Sequence, residues 1–209
     1  MSSSSGFGGA RVGPGVPPGC ERGTVAERPL RADARRNRER VLAAADEAFA
    51  EHGFGVPLDE IAAAAGVGPG TVYRHFPTKE ALFEAVSLAR VQDVVDDARA
   101  RAEAADPGSA FEGFLARLAE EAGRKRDLPD ALAGAGAHGM AEAVADLHDA
   151  LGVLLARGQA AGAVRADITV PDLIALLKGL LHTVRTDPEP GLRQRVFAVL
   201  RDGLRPPVD

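Results

Sequence analysis

Thr71, Tyr73, Arg74, His75 and Lys79 crowd one short stretch of the chain, and each carries a hydrogen-bond donor on a side chain of different reach. Hydroxyl, phenol, imidazole and ammonium groups donate to phosphate oxygens, and a guanidinium can grip guanine O6 and N7 together. This donor set is suited to recognising a polyanion rather than to breaking a bond. His138, His148 and His182 are the other residues of chemical interest. No pair of them has the i, i+4 or short-loop spacing that sets two metal ligands on one face. No glycine-rich phosphate loop or activated Ser or Cys motif accompanies them, and Asp146 and Asp149 read as a solvated helix face. The sequence therefore points away from an enzyme and implies no cofactor and no metal.

The elements that must position the donors are legible around them. Ile61 and the alanines Ala62 to Ala65 predict a helix with a small face, open to close approach by a neighbour. Gly66 follows where a helix C′ residue is expected, because glycine takes the left-handed conformation without a Cβ clash. Val67 is the apolar plug of a three-residue turn. Gly68 as N-cap and Pro69 at the first helical position restart the chain as a second helix. In that helix Val72 and Phe76 point inward, while Thr71, Arg74 and His75 lie outward with Tyr73 at the edge. Thr78 is placed to cap a further helix that starts at Lys79. Helix, turn and polar second helix together read as a helix-turn-helix, whose second helix enters the DNA major groove.

Over about Arg36 to Val86 the chain resembles the TetR family of bacterial transcriptional repressors. The likeness rests on Ala44-Ala-Asp-Glu-Ala-Phe-Ala-Glu-His-Gly53, the turn described above and Phe76-Pro-Thr-Lys-Glu-Ala-Leu82. The resemblance implies that Pro69, Gly70, Thr71, Tyr73, Arg74 and His75 belong to the recognition helix. Tyr73, His75 and Lys79 would mainly hold phosphates, with Arg36 of the preceding helix, and Thr71 and Arg74 are the candidates for base edges. Two positions depart from the family pattern. Pro57 and Gly68 stand where hydroxyl residues are frequent, so phosphate binding must lean on backbone N–H groups and upstream arginines.

Composition fits this reading once charge is placed. The chain has 209 residues, 45% of them hydrophobic, and a net charge of −5. Through Arg40, however, there are eight arginines (Arg11, Arg22, Arg28, Arg31, Arg35, Arg36, Arg38, Arg40) against four acids (Glu21, Glu27, Asp33, Glu39). Local positive potential is what phosphate contact requires. Cys20 is the single cysteine and excludes an internal disulfide, in keeping with a reducing cytoplasm. No segment reads as a signal peptide or a membrane span.

The expected architecture is all-α: a Gly/Ser/Pro-rich disordered tail over 1–30, a helix-turn-helix domain over 31–78, and a helical domain over 79–209. A first helix is predicted from about Ala34 to His52, with Val41, Leu42, Ala45, Ala48 and Phe49 on one face. A connecting helix is predicted over 79–105 and ended by Asp106-Pro-Gly, followed by a stripe of Phe111, Phe114, Leu115 and Leu118. A helix from Met140 to Ala160 carries Val144, Leu147 and Leu151 inward. The last two helices, about Pro171 to Arg185 and Gly191 to Leu204, are apolar on more than one face. Such helices need a partner. Leu173, Leu177, Leu180, Leu181, Val196, Val199 and Leu200 are the candidate interface of a homodimer, an arrangement the resemblance also implies. The resemblance further implies a repressor that binds a palindromic operator in double-stranded DNA and is released by a small-molecule effector. Phe111, Phe114, Leu118, His138, Met140, Leu147 and Leu151 are candidate pocket residues.

Overall fold

The computed structural model describes residues 27–124, 139–186 and 189–207. Eight α-helices run through these residues: α1 Glu27–His52, α2 Leu58–Ala64, α3 Pro69–His75, α4 Lys79–Ala102, α5 Pro107–Arg124, α6 Met140–Ala160, α7 Val170–Thr186 and α8 Leu192–Gly203. A 3-10 turn, Gly53–Gly55, follows α1, and no strand occurs among the described residues. None of these helices is long and apolar enough to cross a membrane. His138, Cys20, Arg11 and Arg22 lie outside the described residues, as does the expected tail up to residue 26.

Three boundaries differ from expectation. The first helix begins at Glu27, within the stretch assigned to the tail. Pro29 is compatible with this because it sits in the first turn, where a backbone N–H would have no intrahelical acceptor. The helix α4 stops at Ala102, with Glu103 N–H closing onto the Ala100 carbonyl. Pro107 and Gly108, expected to end a helix, instead open α5. Asp106 explains the reversal: its carboxylate accepts from the Gly108 and Ser109 amides at 3.0 and 3.2 Å and from the Ser109 hydroxyl at 2.6 Å. That hydroxyl bond, then the Ser109 amide, holds the Asp106 carboxyl below its ordinary value. Thr169 and Asp172 form a reciprocal capping box at α7, and the Thr169 hydroxyl likewise depresses the Asp172 carboxyl.

Apolar residues gather in two separate cores. The smaller joins α1, α2, α3 and the start of α4 through Val41, Ala45, Phe49, Ile61, Val72, Phe76, Leu82 and Val86. Phe54 and Phe83 join Phe49 at its edge, with ring centroids 5.4–6.1 Å apart, Phe49–Phe54 stacked and the two contacts with Phe83 edge-to-face. The larger core begins at Val91 on α4 and extends through α5, α6, α7 and α8. Between them on α4 lie Ser87 and Arg90, the buried polar side chains among the described residues. Arg90 reaches across to α1, where its Nε meets the Asp46 carboxylate and its Nη2 donates to the Asp46 carbonyl at 3.2 Å. The Ser87 hydroxyl has no hydrogen-bond partner among the described residues.

Candidate nucleic-acid interface and effector cavity

The turn between α2 and α3 is closed by the hydrogen bonds its glycine permits. Gly66 has φ +63°, its N–H donates to the Ala63 carbonyl and the Val67 N–H donates to the Ala62 carbonyl, both at 3.0 Å. These two bonds form a Schellman motif, which needs a left-handed residue at C′. Val67 tucks against the small core beside them. Arg40 on α1 donates to the Gly66 carbonyl at 3.4 Å and so ties the turn to the first helix. Gly68 is the N-cap of α3, with Pro69 at the first helical position. Neither Pro57 nor Gly68 offers a side-chain capping bond, so the two missing hydroxyls are not replaced locally.

Helix α3 divides as its sequence dictates. Val72 is fully buried and Phe76, its C-cap, nearly so. Tyr73 is 49% exposed, an unusual state for a large aromatic ring. Pro69, Gly70 and Arg74 are exposed, while Thr71 and His75 are half-buried at the margin. A Cβ built on Gly70 would meet nothing within 4 Å, so another molecule can come close to its backbone. Thr78 caps α4 by accepting from the Ala81 N–H at 3.1 Å. The Lys79 ammonium lies 4.9 Å from the centroid of the Phe54 ring. A cation over an aromatic face is attracted by the ring quadrupole, so this lysine is held rather than free-swinging.

Arg36 is exposed and paired with Asp33 one turn back. Arg38, absent from the expected set, comes nearer to the recognition helix, with its guanidinium 5.4 Å from the Phe76 ring centroid. Spacing could have shown this: Arg38 precedes Val41 and Ala45 by three and seven residues and so continues the inward stripe of α1.

The larger core leaves a cavity of about 70 Å³ between α4, α5, α6 and α7. Phe114, Leu118, Leu147 and Leu151 line it, as the pocket expectation has them. Phe111 and Met140 do not; both are buried in the surrounding core, Phe111 against Gly158 of α6. Val91, Val94, Val144 and Ile174 complete the apolar wall, with His148 and Lys178 as its polar members.

The interface expectation needs a larger correction. Leu173, Leu177, Leu181 and Leu200 are at most 9% exposed within one chain, so they pack the chain's own core rather than a partner. Leu177 and Leu181 in fact line the cavity. Leu180 and Val196 are half-buried, and Leu176 and Val199 are 46% and 72% exposed. These four are among the apolar groups that α7 and α8 leave available, with Ile174, Val184 and Leu192 also half-buried.

Residues 41–86 match the family described as bacterial regulatory proteins, tetR family, and residues 106–206 match the SbtR-like transcriptional regulator C-terminal domain. The chain is 40% identical over 60 residues to the HTH-type transcriptional regulator UidR of Escherichia coli, covering 28% of this chain and 31% of UidR. It is 38% identical over 81 residues to RaaS of Mycobacterium tuberculosis, covering 39% of this chain and 36% of RaaS. These curated relatives are thus matched over about a third of their length. Solved structures extend the likeness to nearly whole chains. A TetR transcription regulatory protein from Mycobacterium vanbaalenii shares 47% identity with a TM-score of 0.67, over 85% of this chain and 99% of that one. A TetR transcriptional regulator from Streptomyces coelicolor shares 33% identity with a TM-score of 0.68, over 82% of this chain and 99% of that one. With the helix-turn-helix and the helical C-terminal half both matched, the chain belongs to the TetR family of transcriptional regulators.

Proposed function

We propose that this regulator is a repressor that binds a palindromic operator as a homodimer in the cytoplasm and is released by a small-molecule effector. The observation that carries the reading is the division of α3: Val72 and Phe76 are buried, whereas Tyr73 and Arg74 project from the same short helix into solvent. A helix this short has its outward donors free for a duplex. Arg74 and Thr71 are assigned to base edges. Tyr73, His75, Lys79, Arg36 and Arg38 are assigned to phosphates, and Pro69 and Gly70 let the helix start come close to the backbone. Residues 31–78 form the reading domain in this proposal and 79–209 the effector and dimer domain.

Leu180, Val196 and Val199 are the dimer contacts retained from the expected set, with Leu176 beside them. An exposed apolar face on two adjacent helices supports pairing with a second copy. The cavity walled by Phe114, Leu118, Leu147 and Leu151 supports an effector site, with Phe111 and Met140 as the packing behind it. Effector binding would favour a state in which the two recognition helices no longer match successive major grooves.

A gel shift on the intergenic DNA upstream of the chain's own gene tests the DNA assignment. Arg74→Ala should lose about 1–3 kcal/mol of discrimination between operator and unrelated DNA. Lys79→Ala should weaken both alike and reduce the salt slope by about one. Wild-type behaviour from both variants would remove α3 and Lys79 from the interface. Analytical ultracentrifugation showing a monomer at micromolar concentration would remove the dimer.

A further inference from the structure

We infer that the cavity between α4, α5, α6 and α7 takes a small organic carboxylate, with its apolar body against the leucines and its acid group held by Lys178 and His148. The inference rests on the reading of this cavity as the effector site and adds the chemical class of its occupant.

The placement of the two polar residues carries the argument. On α7, Ile174, Lys178 and Leu181 follow one another at helical spacing, and all three line the cavity. On α6, His148 stands between Val144, Leu147 and Leu151, which line it too. Its inner wall is buried, with Leu147, Leu151, Leu177 and Leu181 at most 9% exposed, Val94, Val144 and Ile174 are half-buried, and His148 and Lys178 are exposed. The cavity therefore has an apolar floor and a polar mouth.

Charge selects the ligand's head. Arginines on α4, on α5 and in the loop before α7 do not line the cavity and are already paired: Arg99 with Asp146 at 2.9 Å, Arg117 with Asp97 at 3.0 Å, Arg165 with Asp167 at 2.6 Å. Lys178 forms no ion pair among the described residues. An ammonium has three donors and no acceptor, and an imidazole N–H can add a further donor. Both favour an anion at the mouth. The walls exclude a compact, strongly hydrated anion, which would gain nothing from apolar contact and would lose its water. A carboxylate on a hydrocarbon body satisfies both ends at once.

Volume selects the body. About 70 Å³ is roughly half the room of a ~150 Å³ apolar cavity that holds benzene. That suits a short branched chain and neither a buried aromatic ring nor a long acyl chain.

The test uses the full chain with butanoate, 2-methylpropanoate and 3-methylbutanoate, each beside its carboxamide, read by thermal shift and isothermal titration calorimetry. At least one acid should raise the melting temperature and bind at least tenfold more tightly than its amide. Lys178→Met keeps the aliphatic stem and should reduce that preference to within a factor of two. Val144→Phe, which fills the cavity, should abolish binding of acid and amide alike. Acid and amide binding equally well, with both lost in Val144→Phe, would leave the cavity reading standing and overturn the carboxylate. Acid binding unchanged in Lys178→Met would overturn the assigned mouth. No binding by any of the six compounds would overturn the carboxylate proposal and count against the cavity as an effector site.

Discussion

Helices α3 and α7 both present more than their own chain can use, but in opposite chemistries. The surplus of α3 is polar: Tyr73 and Arg74 stand out from a helix anchored by two buried side chains, Val72 and Phe76. The surplus of α7 is apolar and smaller than its leucine count suggests: Leu173, Leu177 and Leu181 are buried in the chain's own core, which leaves Leu176 exposed and Leu180 half-buried. A polar donor is satisfied by water at no cost, so its exposure can follow from local sequence. A leucine has many possible neighbours, and only the packed chain decides which one it meets.

The sharpest way to break this division is at the joint between the two halves. Asp46→Ala leaves Arg90, 4% exposed, without its carboxylate. Breaking a buried pair in this way should cost about 3 kcal/mol, read as a lower urea midpoint. An unchanged midpoint would mean that the small core holds α4 without help from the ion pair.

Two glycines then separate the halves. A Cβ at Gly158 would meet Val164 Cγ2 at 2.8 Å, so Gly158→Ala overpacks the larger core by about 1–3 kcal/mol. DNA binding at low temperature should survive that change. Gly66→Ala meets no crowding but forces a side chain to φ +63°, a strain of about 1–2 kcal/mol. Here operator affinity should fall more than overall stability, because α3 is displaced relative to α2. The reverse pattern would mean that the two helices keep their angle without the Schellman turn.

The smallest effect concerns the cap of α7. Because the folded Asp172 carboxyl sits below its ordinary 3.8, its contribution is complete above that pH and fades as pH falls through the depressed value. Asp172→Asn should flatten the stability profile just below pH 3.8 and leave the neutral region parallel to wild type. An acid limb identical to wild type would show that the cap does not titrate on unfolding.

The reading half was legible because its rules act within a few residues. Gly66, Gly68, Pro69 and Thr78 each fix a turn or cap through their own backbone or hydroxyl, and the structure places them in those roles. Asp106-Pro107 misled for the same local reason: the pair can end one helix or begin the next, and its carboxylate decides for the second. The rest needed tertiary knowledge. Arg90 stands between Ala89 and Val91 with no local signal of its role, and only the approach of α1 buries it. The cavity is a place where packing stops, which no residue type announces. The inward face of α7 could not be chosen because leucines occur on both sides of it.

The polar interval on α4 has a consequence for descent. The buried members of the two cores stop at Val86 and resume at Val91, with Leu88 of the larger one reaching back between Ser87 and Arg90. Two family profiles meet this chain on either side of that interval, at 41–86 and at 106–206. A gene joined anew at this point keeps both interiors intact and has to rematch chiefly one carboxylate on α1 with one guanidinium on α4. Physical modularity of this kind lets a lineage keep its helix-turn-helix while the helical half behind it drifts in sequence.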